Sequence, residues 1–543
     1  MRLERSASGE GRLRRAAPVA VLVAGAFVAS ACGVLGSDEA DAPASPVAGQ
    51  AVESPTTGSV AADGQGGAPA DPAAPSAVDP AASGDDAQAP APASIEQLEV
   101  LWAEERAAVV DRIRSGGYGL DEEGVLTGPG GFELDLSSCP ADWSDTEGVG
   151  ETVSIGYTTA RSGNLAPYGY VADGMLAYFD YVNANGGVGG RPIELVIRDD
   201  EYKADLTVEL VDELIESGEI FSVTTLGYPG TVAVIDRLND ACVPHPFAVT
   251  SHPTWGDPLG SPWTTGLQLS HSTEAVLWGS WIKSNLVGQL PVKVAALVRD
   301  DAFGLAYESS FRAWAEANPD VVSEFVAVPH GTSPDASVAA EMATIEASDP
   351  DVFISMTAGS FCLQAVQEAG RLDLARTAEV RFTSSVCRDP AAYMIPAGAA
   401  ASGWNIVGGG IKATTDPRFA EEPFIAFTNQ TLSAAGLDPA VGFYGTGFAT
   451  YGWAHVEAMR IASELEGGLT RSNLILAQRA MDLTHPILLD GIRFAMDGAA
   501  DGFPVEGSNF GVYDAESQVW TEDSPVIDVD GSTPNCPWTD DGC

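Results

Sequence analysis

The feature that most constrains this chain is an alternation. Short β-branched runs at Val153–Thr158, Ile193–Ile197, Ile220–Leu226, Val292–Val298, Val321–Val328 and Val352–Met356 are separated by helical patterns at Gly169–Asn185, Leu206–Ser217, Thr231–Leu238, Thr273–Ser284, Glu308–Ala317 and Phe361–Ala369. Strand and helix in alternation require crossover connections, which are right-handed and cover both faces of a parallel sheet. The chain is therefore read as an α/β protein. At 543 residues it is long enough for at least two cores. Ile193–Tyr202 and Val294–Phe303 both run strand, Arg-Asp-Asp, aromatic, helix, an echo that two similarly wound lobes would produce. The paired aspartates Asp199/Asp200 and Asp300/Asp301 sit where strand ends turn into helices, so capping and turn formation are their expected roles.

The regions outside this alternation have a different character. Five arginines precede an apolar run, Ala16 to Ala31, that is broken by Pro18 and too short to span a bilayer. Residues 1–31 are read as an export signal. Val28-Ala29-Ser30-Ala31-Cys32 resembles a bacterial lipobox, which makes Cys32 the expected lipidation site. Residues 32–94 are expected to be a disordered tether: from Gly33 to Ser94 there is no aromatic residue, Lys or Arg, and such a stretch cannot bury enough apolar surface to order itself. As a coil it would span roughly 45 Å. Residues 95–150 are read as a helix, Ile95 to Arg114, followed by a Gly-rich extension.

Charge and motifs exclude several classes. With 27 basic against 76 acidic residues and a net charge of −49, the chain is not built to track phosphates, so nucleic acid is not expected as a partner. There is no phosphate-binding loop, Gly-x-Gly-x-x-Gly, His-Glu-x-x-His, Gly-x-Ser-x-Gly or Cys-x-x-Cys. The six histidines lack metal-ligand spacing, and Asp528-x-Asp530-Gly531 opens like a calcium loop without its closing Glu. No cofactor, metal site or catalytic residue is assigned, and no enzymatic activity is expected. Six cysteines besides Cys32 are an even set for an oxidising compartment. Cys362 with Cys387, beside neighbouring strands, and Cys536 with Cys543, close in sequence, are the expected pairs.

Thr152–Tyr157, Ser162-Gly163, Tyr168-Gly169, the Asn183–Arg191 stretch, Ile193–Val196 and Asp199-Asp200 resemble the opening of leucine/isoleucine/valine-type solute-binding proteins of ABC importers. Pro244–Ser251, Trp255–Pro258, Pro262–Gly266 and Ala302–Ala306 resemble the actinobacterial lipoprotein branch of that family. The resemblance implies the type I periplasmic-binding-protein fold, two doubly wound lobes with a ligand cleft between them. It places lobe one at 151–270 plus 405–480, lobe two at 271–404 plus 481–525, and a Cys-containing tail at 526–543. It implies a monomer, held to the outer face of the membrane by its lipid, that delivers a small polar solute to ABC permease subunits. An extracytoplasmic sensor with the same fold and a secreted hydrolase are the alternatives.

Carried over by position, the resemblance implies ligand contacts at Ser162 and Tyr168, at Gly227, Tyr228 and Thr231 after the third strand, and at Val249, Thr250 and Ser251 after the fourth. In lobe two it implies Phe303, Thr357, Ala358 and Cys387. An acidic partner for a ligand ammonium is expected near Val386–Asp389, where Cys387 and Arg388 stand. The expected ligand is therefore an amide, organic acid or aromatic acid rather than leucine.

Overall fold

In a computed structural model, the structure describes residues 94–543 except 164, 334, 335, 523, 540 and 541. The signal segment, Cys32 and the tether up to residue 93 lie outside the described residues. Among the described residues no helix is long and apolar enough to cross a membrane.

The first lobe is a parallel sheet of β1 (Val153–Thr159), β2 (Ile193–Asp199), β3 (Ser222–Thr225), β4 (His245–Ala248) and β5 (Thr264–Gly266). β2, β1 and β3 are adjacent, a Leu226–Val249 bridge continues the order to β4, and β4 pairs with β5. The crossovers are α2 (Tyr170–Ala184), α3 (Ala204–Glu216) and α4 (Tyr228–Asp240). Asn183, in the last turn of α2, accepts from Ile193 N–H at 2.7 Å and donates to Ile193 O at 2.9 Å, pinning the helix end to the start of β2. Gly174 lets α2 approach the backbone at Tyr444 so closely that a Cβ there would overlap it.

The second lobe opens with α5 (His271–Asn285) and holds a seven-stranded sheet: β6 (Val292–Arg299), β7 (Val322–His330), β8 (Val352–Met356), β9 (Val380–Thr383), β10 (Trp404–Val407), β11 (Phe510–Asp514) and β12 (Val519–Thr521). The order is β7-β6-β8-β9-β10-β11-β12, parallel through β10 and antiparallel beyond it. Its helices include α6 (Ala302–Ala317), α7 (Ala339–Ala347) and α8 (Ser360–Arg371). Strand β8 is buried along its whole length, as expected of a central parallel strand covered on both faces.

Two lobe boundaries differ from those implied by the resemblance. The chain leaves the second lobe after β10 rather than at 405, because Asn405 to Val407 are hydrogen-bonded between β9 and β11. Residues 481 to 505 remain in the first lobe, where Met481, Leu483, Phe494, Met496 and Val505 are buried with α1 (Ile95–Gly116) and with α9 (Pro423–Ala434), α10 (Trp453–Glu464) and α11 (Arg471–Arg479); β11 and β12 return to the second. The extension 95–150 belongs to that core as well. Trp102, Val109, Ile113, Leu126 and Leu134 are buried in it, and the Arg106 guanidinium meets the buried Glu457 carboxylate at 2.5 Å.

The structure joins all six described cysteines, as Cys139–Cys242, Cys362–Cys387 and Cys536–Cys543.

Candidate functional site

In an open α/β sheet the crevice lies beyond the carboxyl ends of the strands, where neighbouring strands send their connections to opposite faces. In lobe one that point falls between β1 and β3, and in lobe two between β6 and β8. The segments leaving those strands, 160–163, 226–228, 300–303 and 357–359, are the structural candidates for the site. They include Ser162, Gly227, Tyr228, Phe303, Thr357 and Ala358.

On lobe one, Ser162 is exposed and hydrogen-bonds to Asp199. Burial raises the Asp199 carboxyl, but hydrogen bonds from Arg161, Ser162 and Glu201 outweigh it and hold the group below the ordinary carboxylate range. Tyr168 packs edge-on against Phe443 and lies near Tyr202. Gly227 adopts φ +91°, and a Cβ on it would overlap the Tyr202 ring, so only glycine fits there. The amides of Gly227, Val249 and Thr250 donate to Val249 O, Thr225 O and Ala248 O. The Thr231 hydroxyl is fully buried against Thr225 at 2.8 Å. The amides of Gly227, Val249 and Thr250 are thus occupied within the lobe; Tyr228 and Ser251 are half-buried, and the Ser251 hydroxyl donates to Gln268 at 2.9 Å.

On lobe two, Phe303 is half-buried and packs edge-on against His271 and Tyr307 at 5.0 and 5.2 Å. It also lies against the cluster of Ala358, Cys362, Val386 and Cys387. Thr357 is fully buried and its hydroxyl meets His330 Nε2 at 2.7 Å. Cys387 is closed in its disulfide with Cys362, so it offers no thiol. The carboxylates nearest an ammonium each hold bonds within the lobe: Asp301 caps α6 at Gly304 and takes Arg299 Nε at 2.6 Å, and Asp389 takes the amides of Ala391 and Ala392, both on Oδ1.

Three residues that the sequence reading passed over stand beside these. Glu274 on α5 accepts from Ser385 N–H and Oγ, both at 2.7 Å, and from Tyr307 Oη at 2.9 Å. Its burial pushes the carboxyl up to about 7, partly offset by those hydrogen bonds. His252, immediately after the expected Thr250-Ser251 loop, lies 4.2 Å from the Tyr228 ring and is 2 % exposed. Burial, then the nearby His271, push His252 well below the ordinary histidine range. His271, buried and lowered to about 3, stacks on Tyr307 at 4.6 Å. The lobes meet here. The His271 amide donates to Ser251 O at 2.9 Å, and burial followed by the charge of Asp301 raises Tyr228. Adjacency to Ser251 was the signal for His252; nothing local marked Glu274.

Two surface hollows of about 370 and 510 Å³, beside Trp314 and beside Phe427, lie away from these strand ends. The Asp528-x-Asp530 loop brings Asp530 to Asp501 and Glu506, with ligand oxygens within 4.8 Å of one another. Both Glu506 oxygens already accept from the amides of Gly531 and Thr533.

A family model described as periplasmic binding protein matches residues 152–501. No curated protein sequence matches the chain. A fatty acid ABC transporter substrate-binding protein from Thermomonospora curvata is similar over 76 % of this chain and 99 % of its own, at 18 % identity and TM-score 0.52. A branched chain amino acid ABC transporter structure from Thermus thermophilus with bound valine is similar over 70 % and 97 %, at 17 % identity and TM-score 0.54. A solute binding protein from R. palustris in complex with 4-hydroxybenzoate is similar over 71 % and 98 %, at 19 % identity and TM-score 0.52. These likenesses establish a shared fold.

Proposed function

Because the chain belongs to the periplasmic binding protein family, we propose that it captures a small solute between its two lobes outside the membrane and delivers it to an ABC importer, doing no chemistry on it. The observation that carries this reading is the closeness of the two switch points, where the His271 amide donates to Ser251 O at 2.9 Å and Phe303 packs on His271 at 5.0 Å. A lipid on Cys32 and the tether that follows would keep the monomer at the membrane face while it meets the permease.

The solute is an amide, organic acid or aromatic acid rather than a branched-chain amino acid. Tyr228, His252 and Phe303 supply ring surface, and Ser251 supplies a hydroxyl for oxygen recognition. Asp301 and Asp389 are held as helix caps and Glu274 is held by Ser385 and Tyr307. An ammonium buried here would have to draw its counter-charge from a carboxylate already bonded within its own lobe, which is costly. Among the similar structures, a fatty acid and 4-hydroxybenzoate carry a carboxylate without an ammonium, whereas the valine of a third carries both.

Native mass spectrometry of the purified chain tests this reading. A single co-purifying carboxylate or amide that dissociates unchanged supports it, whereas release of a chemically altered product after incubation would overturn the binding role.

A further inference from the structure

The C-terminal segment is attached to both lobes. On the first, the Cys536 amide donates to Gly256 O at 2.7 Å, and Cys536 is fully buried among Ala248, Trp255 and Phe503. On the second, the Cys543 amide donates to Ser309 Oγ at 3.4 Å, and a Cβ on Gly542 would stand 2.8 Å from that same oxygen and 3.1 Å from Leu305 Cγ of α6. The Cys536–Cys543 disulfide joins the two attachments. Between them Trp538 turns edge-on to His252, with ring centroids 4.3 Å apart and planes at 74°. His252 in turn lies 4.2 Å from Tyr228, and its Nδ1 accepts the Thr254 amide at 3.3 Å.

We propose that Trp538 is a positioning residue of the cleft, holding the His252 ring against Tyr228, and that the disulfide loop carrying it clasps the two lobes together. An edge-on ring pair fixes orientation as well as distance. The Cys536 end is sunk in the first lobe, whereas Cys543 is exposed and holds the second lobe by its long amide bond to α6 and by Sγ 3.8 Å from Ser272 Oγ of α5. Separation of the lobes therefore breaks the clasp at α5 and α6 and carries Trp538 away with the first lobe. The consequence for solute affinity rests on the reading of the cleft given above; the positioning itself does not.

The test compares the intact chain with Trp538→Ala, Trp538→Phe and the double variant Cys536→Ser/Cys543→Ser, by hydrogen exchange and by the ring resonances of His252. Trp538→Ala is expected to move the His252 resonances and to speed exchange in the 250–255 peptide about five- to tenfold, with Trp538→Phe restoring most of both. The double cysteine variant is expected to speed exchange in the first turns of α6 while leaving β6 and β8 at wild-type protection. Unmoved His252 resonances in Trp538→Ala would overturn the proposal, as would acceleration spread evenly over the first-lobe sheet, the mark of a merely structural role. Neither readout uses a solute, so failure to find the proposed ligand leaves the result intact.

Discussion

Cys139 and Cys242, 103 residues apart in sequence, are joined by a disulfide that fastens the Gly-rich extension to the end of α4. Trp143 reinforces the junction by donating from Nε1 to Cys242 O at 2.8 Å. A cross-link closing so long a loop restricts the unfolded chain strongly. The double variant Cys139→Ser/Cys242→Ser is expected to lose about 3 to 5 kcal/mol in urea unfolding followed by tryptophan fluorescence. A loss below about 1 kcal/mol would mean that the extension is held by packing alone.

Gly227→Ala should damage the cleft at one point. The substitution introduces a side chain at φ +91° and drives it into the Tyr202 ring. At φ +91° and ψ +148° the backbone strain alone is expected to cost about 1 to 3 kcal/mol of stability, and the displaced loop should weaken capture of whatever solute co-purifies. Wild-type binding and stability in Gly227→Ala would show that the loop adapts without loss.

The buried Glu274 makes stability depend on pH. Its folded-state value of about 7, against an ordinary 4.5, means that the folded protein binds the proton more tightly. Its contribution is fully favourable below about 4.5, declines as pH rises towards 7, and is flat above. The whole change is on the order of 3 kcal/mol. Glu274→Gln should therefore narrow the difference between urea midpoints at pH 5 and pH 8 and raise stability at the higher pH. An unchanged pH dependence in the variant would remove Glu274 as the cause.

The six β-branched runs all coincide with strands; β1, β3, β6 and β8 are central and buried on both faces, while β2 and β7 are edge strands whose β-branched content alone marks them. Strands β9 and β10 were less visible because each carries a polar residue inside the sheet. Arg381 folds over the Trp404 ring, and Asn405 donates to Arg381 O. The proposed site is legible only as far as topology reaches, since strand ends at a switch point follow from strand order. The contact of Glu274 with Ser385 spans 111 residues, and that of Trp538 with His252 joins the tail to a loop far upstream. No local pattern encodes such pairs.

Lipidation is tested in the producing cell. Labelling with a palmitate analogue is expected on the wild type and absent from Cys32→Ala, with the variant released from the membrane. A wild-type protein recovered unlabelled in the medium would contradict the anchor.

Isothermal titration of the purified chain against leucine, isoleucine and valine, beside short amides, short carboxylic acids and an aromatic carboxylate, tests the central claim most directly. The account predicts saturable one-to-one binding within the amide and carboxylate set and negligible heat from the three amino acids. Sub-micromolar binding of leucine, abolished by Asp389→Asn, would contradict it, because the carboxylate seen here capping Ala391 and Ala392 would then be the partner of a ligand ammonium.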